Sequence, residues 1–123
     1  MKTVIFLFLV SFTSVTAHAQ LNNTHWKGTL HSNNNIDVVF NYGKDTLTVT
    51  NSADNSTIET MTYTIADGII SIKKIDGMSD CDKTVTGKYK FQIKDDLLYV
   101  TLLSDECKNR SENLENSKWT KSE

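Results

Sequence analysis

From residue 24 onward, apolar and polar side chains alternate with a period of two, the pattern of strands with one dry and one wet face. Trp26, Gly28 and Leu30 share one parity, and His25, Lys27, Thr29 and His31 the other. Ile36, Val38 and Phe40 form the next apolar set, ended by Tyr42-Gly43-Lys44-Asp45, where glycine is expected to supply a positive φ. Leu47 and Val49 alternate with threonines, residues 51–56 read as a loop, and Met61, Tyr63 and Ile65 alternate with threonines again. Ile58 is out of phase with Met61, so this strand either starts late or carries a bulge. Ala66-Asp67-Gly68 turns the chain into Ile70 and Ile72. In the last hairpin Tyr89, Phe91 and Ile93 oppose Lys88, Lys90, Gln92 and Lys94, Asp95-Asp96 makes the turn, and Leu98, Val100 and Leu102 return. Residues 108–114 lose the alternation and predict a short helical turn capped by Ser104 or Asp105, before a last strand around Trp119.

The pattern predicts an all-β fold of about eight short antiparallel strands. A meander of this length must hide two sheet edges, and closing the sheet removes them. Short local connections favour an up-and-down barrel over a two-sheet sandwich, which needs long crossovers.

The first residues follow a different rule. Met1-Lys2 gives a positive flank, residues 4–10 an unbroken apolar run, and Ala17-His18-Ala19 a small-x-small site. That order predicts a cleaved secretory signal peptide over 1–19 and a single domain over 20–123. Spanning a bilayer takes about 20 apolar residues, and Ser11, Thr13, Ser14 and Thr16 interrupt the run too early for an anchor. No cysteine follows the predicted cleavage point to accept lipid. The expected location is secreted or periplasmic, with no membrane span in the processed chain.

Export changes the reading of the two cysteines, Cys81 and Cys107. In an oxidising compartment they predict one structural disulfide, and their spacing is not that of a zinc site. Charge is mildly acidic at net −2, from 13 Lys and Arg against 15 Asp and Glu. Without a basic cluster, no nucleic-acid partner is expected, and the lysines of 83–94 read as the wet face of a strand.

Catalytic constellations are not evident. His18 leaves with the leader, and His25 and His31 fall on a wet face with no orienting carboxylate nearby in sequence. Asp95-Asp96 and Asp80-x-Asp82 are turn chemistry. No serine nucleophile elbow, phosphate-cradling loop or metal motif occurs, so the chain is read as a non-enzyme without metal or cofactor. Asn22, Asn55 and Asn109 open N-x-S/T sequons, which carry meaning only in a eukaryotic secretory pathway and are read as chance.

Trp26-Lys27-Gly28, the hairpin from Gly87-Lys88-Tyr89-Lys90-Phe91 to Leu98, and the tail Asp105-x-Cys107-x-x-Arg110-x-x-x-Leu114-x-x-x-x-Trp119 resemble small secreted bacterial lipocalin-like proteins, relatives of the calycin barrels. The resemblance covers most of residues 20–123 and implies a barrel whose mouth takes a small apolar ligand. Trp26, Val38, Phe40, Tyr63, Tyr89 and Phe91 are then the inward, candidate ligand-binding residues. Their bulk either lines a pocket or fills it, and short strands favour filling. Arg110 is expected to cover Trp26 or Trp119, as guanidinium stacks on aromatic faces. Its alternative is a surface position near a helix C-terminus. A second function class is a protein-binding module such as a hydrolase inhibitor, with residues 74–85, including Ile75 and Met78, as the contact loop anchored by Cys81.

Overall fold

In the computed structural model, residues 21–32 and 34–122 are described. The predicted leader, residues 1–19, lies outside them. Eight strands run in chain order: β1 (Thr24–Leu30), β2 (Ile36–Tyr42), β3 (Thr46–Asn51), β4 (Thr57–Ala66), β5 (Ile69–Gly77), β6 (Thr86–Lys94), β7 (Leu97–Ser104) and β8 (Ser117–Ser122). One helix, α1 (Lys108–Leu114), precedes β8. Each strand pairs antiparallel with the next, and β8 pairs with both β7 and β1 to close an up-and-down barrel.

The hairpin turns follow from residues that tolerate positive φ. Asp67 and Gly68 (53° and 74°) join β4 to β5, and Asp95 and Asp96 (53° and 62°) join β6 to β7. Two consecutive positive φ angles define the turn whose twist matches paired strands. Gly43 does not take the positive φ expected of it. Its N–H instead donates to the Thr46 carbonyl at 2.8 Å, closing the turn through ordinary backbone.

Alternation delivers the core. Trp26, Val38, Phe40, Leu47, Val49, Met61, Tyr63, Ile70, Ile72, Tyr89, Leu98, Val100 and Trp119 are buried inside the barrel. Tyr42, which ends the Ile36–Val38–Phe40 series, is buried with them, and its ring meets Tyr63 edge-on at 5.3 Å. The lysines of β6 at 88, 90 and 94 are exposed, as read from sequence.

Three bulges shift the register. Thr50 pairs with Thr57 and Val49 with Glu59, leaving Ile58 as the extra residue, so the phase break is a bulge within β4. Ile75 is extra in β5, where Thr60 pairs with Asp76 and Met61 with Lys74. Leu103 is extra in β7, between the pairs Lys88–Ser104 and Tyr89–Leu102.

The helix occupies the predicted residues but is capped differently. Cys107 holds the N-cap position without a side-chain cap bond, while Asp105 Oδ1 accepts the Cys107 N–H at 2.9 Å. Arg110, Asn113 and Leu114, at the i, i+3, i+4 spacing of one helix face, are the buried ones. Cys81 and Cys107 form the expected disulfide. Among the described residues, no helix is long and apolar enough to cross a membrane.

Candidate binding cavity at the barrel mouth

The two ends of the barrel differ. At the end formed by the start of β1 and the close of β2, Leu21 is fully buried and its carbonyl accepts the Thr24 hydroxyl at 2.5 Å. Thr24 Oγ1 in turn accepts the Trp26 indole N–H at 2.9 Å, so the ring's one polar atom is satisfied inside the core. Tyr42 and Tyr63 fill the same end, and the Tyr63 hydroxyl donates to the Gly43 carbonyl. Burial, then the Tyr63 charge, raises the Tyr42 phenol above its ordinary range.

The opposite end opens into a cavity of about 380 Å³. Phe40, Val49 and Met61 line it and are buried in the core, and Trp119 backs Phe40 in a stacked pair with ring centres 4.3 Å apart. Leu30, Ile36 and Ile58 form the upper apolar wall, and α1 covers one side with Leu114. Met78 and Ser79, just past β5, complete the rim.

Three of the polar side chains that line the cavity are buried. Asn113 is fully engaged: its Oδ1 accepts the His31 and Ser32 N–H groups at 2.8 and 3.3 Å, and its Nδ2 donates to Ser32 Oγ and the Asn109 carbonyl. It thereby staples α1 to the segment after β1.

Arg110 is the second, only 6% exposed. Its Nε and Nη2 donate to the two oxygens of Asp105 at 2.6 and 2.9 Å, a bidentate pair, and Nη2 also reaches the Val85 carbonyl at 3.3 Å. Tyr89 donates its hydroxyl to Asp105 as well. Burial pushes the Asp105 carboxyl up, but hydrogen bonds from Arg110, Tyr89 and the Cys107 N–H, with the Arg110 charge, outweigh it and hold the carboxyl below its usual range. Burial, the Asp105 hydrogen bond and the Asp105 charge raise the Tyr89 phenol. A side chain at Gly87 would collide with Asp105, so this position needs glycine for close approach. Arg110 Nη1 is buried without a hydrogen-bond partner.

The third is Glu59, 8% exposed, which shares the parity of Met61 and Tyr63 and so points inward. Lys74, with the parity of Ile70 and Ile72, lies 3.8 Å from its Oε1, and Ser79 donates its hydroxyl to Oε2. Lys74 Nζ also donates to the Gly77 and Ser79 carbonyls, fixing the rim segment. Glu59 Oε1 is buried with no hydrogen bond.

Of the six residues read as ligand-binding, Phe40 lines this cavity. Trp26, Val38, Tyr63 and Tyr89 are buried in the core outside its lining, and Phe91 packs half-buried against that core. Trp119 is buried behind Phe40. Arg110, expected over an indole or at the surface, is held inside by Asp105. His25 donates from Nδ1 to Asn41 Oδ1 at 2.6 Å, and exposed His31 meets Asn35 at 3.2 Å, both away from the cavity lining.

Glu59, Lys74 and Asn113 went unread as site residues, although parity with Met61 and with Ile70 already placed Glu59 and Lys74 inward. Comparison with family models, with curated proteins and with solved structures finds no match for this chain.

Proposed function

We propose that this chain is an exported, lipocalin-like binding barrel that takes a small, mainly apolar molecule at the mouth covered by α1. One observation carries the reading: the interior is filled at one end and opens at the other into a cavity of about 380 Å³ walled chiefly by Leu30, Ile36, Phe40, Val49, Ile58 and Met61. Ligand sites are concave, mostly apolar and carry few fixed polar groups, with volumes of about 300–1,000 Å³. The volume here suits a short ligand.

The role is binding rather than catalysis, and it invokes no cofactor and no nucleic acid. The charged groups on the wall are engaged in ion pairs, Arg110 with Asp105 and Glu59 with Lys74, which balance their charge. The Cys81–Cys107 disulfide supports a secreted or periplasmic location, since such bonds persist in oxidising compartments.

Titration with the neutral apolar dye N-phenyl-1-naphthylamine tests the reading. Saturable fluorescence enhancement is expected, and Ile58→Trp, which places an indole in the cavity wall, is expected to abolish it. A linear, non-saturating response sinks the proposal.

A second reading rests on Met78, 81% exposed on the rim, and Ile75, 41% exposed on the β5 bulge. Both lie on the segment anchored at Cys81, a preorganised apolar surface suited to a protein partner such as a hydrolase. A partner retained by the wild-type protein but lost with Met78→Glu, while dye binding is unchanged, favours this reading.

A further inference from the structure

Accepting that the cavity binds a small molecule, we propose that its ligand is uncharged and carries both a hydrogen-bond acceptor, met by Arg110 Nη1, and a hydrogen-bond donor, met by Glu59 Oε1. The argument rests on what the buried polar atoms of the wall have already used. Asn113 has its oxygen and its nitrogen committed within the protein, and Ser79 is committed to Glu59 Oε2. Two atoms stand out: Nη1 of Arg110, a donor, and Oε1 of Glu59, an acceptor, both buried and both without a hydrogen bond. Buried polar groups in folded proteins find partners, and an unmet one weakens the structure. Both residues border the same cavity.

The charge of that guest follows from the pairs behind these atoms. Asp105 grips the guanidinium of Arg110 through Nε and Nη2, leaving Nη1 as the end of the planar fork turned away from the pair. A ligand carboxylate at Nη1 meets a guanidinium whose charge is already balanced. The same holds at Glu59, whose carboxylate is offset by Lys74 at 3.8 Å. A charged head group therefore loses its hydration without gaining a net opposite charge, whereas a neutral polar group loses far less on entering. An amide, or a carbonyl accompanied by a hydroxyl, on a short apolar chain has the required chemistry, while a fatty-acid anion or an alkylammonium does not.

Displacement of N-phenyl-1-naphthylamine from the disulfide-bonded protein at neutral pH, by four probes of matched size, tests this. Octanamide offers an acceptor and a donor, 2-nonanone an acceptor alone, octanoate an anion and nonylammonium a cation. Octanamide is expected to displace at a concentration about tenfold or more below each of the others, because a site built for a hydrogen bond rejects analogues that leave it unmet. Octanoate or nonylammonium matching octanamide overturns the neutral-ligand inference while leaving the binding function intact. Equal potency of 2-nonanone overturns the donor assignment. Failure of the dye and every probe to bind saturably removes the binding function itself. In Glu59→Gln, an amide replaces the acceptor-only carboxylate, and the advantage of octanamide over 2-nonanone is expected to shrink; an unchanged advantage removes Glu59 from the site. The wild-type series decides the charge question even if that variant does not fold.

Discussion

Trp119 of β8 lies with its indole ring against the α-carbon of Gly28 on β1: a Cβ at residue 28 would overlap ring atoms Cε3 and Cζ3. Gly28 is needed for space rather than for backbone freedom, and the close approach lets the last strand pack its ring against the first. Gly28→Ala is expected to destabilise the barrel by about 1 to 3 kcal/mol through overpacking. Chemical denaturation checks it, and a Gly28→Ala, Trp119→Leu double variant is expected to recover part of the loss because the two residues are coupled. Additive losses would mean that the ring is not the obstacle.

Asp105 receives donors from Arg110, Tyr89 and the Cys107 N–H, and its carboxyl is lowered on balance. A lowered folded-state value adds stability that is present above the unfolded value of about 3.9 and is lost as pH falls through the folded value. Acid unfolding is therefore expected to steepen below about pH 4. Asp105→Asn strips the countercharge from buried Arg110 and is expected to cost about 3 to 5 kcal/mol while flattening that acid limb. Tyr89→Phe removes one donor and is expected to cost about 1 to 2 kcal/mol. Urea midpoints measured from pH 2 to 7 compare all three proteins.

Burial raises the phenols of Tyr42 and Tyr89. Here the stabilisation is complete below the unfolded value of about 10 and disappears as pH climbs toward the folded values. Absorbance titration is expected to show Tyr42 and Tyr89 ionising only as the barrel opens. Reversible ionisation of every tyrosine in the folded protein near pH 10 contradicts this.

The Cys81–Cys107 bridge spans a sequence separation of 26 and joins the rim segment after β5 to the N-cap of α1. By loop-closure entropy, reduction or a Cys81→Ser, Cys107→Ser variant is expected to cost about 3 to 4 kcal/mol. Both tethered segments border the cavity, so amide exchange over residues 78–84 and 107–114 is expected to rise more than in β2 and β3. Uniform change across the barrel would show that the bridge does not act locally on the mouth.

Much of this architecture was legible along the chain. Period-two alternation places side chains on one face or the other of a strand, and it located the strands, the Asp-Gly and Asp-Asp turns and the break in rhythm that becomes α1. It was less informative about the site. Alternation says that Trp26, Phe40 and Tyr89 point inward, but not how far along the barrel each one lies. Depth depends on strand tilt and on the stagger accumulated around the closed sheet, which no single strand encodes.

The local signals, then, were enough for strand identity, helix position and the cysteine pairing, because each depends on neighbours in sequence or on a single compartment argument. The pairing of β8 with β1 arises between strands at opposite ends of the chain, and the extra residue Ile75 in β5 shows only once β4 and β5 are in register. The convergence of Glu59, Arg110 and Phe40 on one mouth likewise brings together residues distant in sequence. Register sums over all eight pairings before any residue's height in the barrel is set, and for that reason the cavity and its polar atoms belong to the assembled barrel alone.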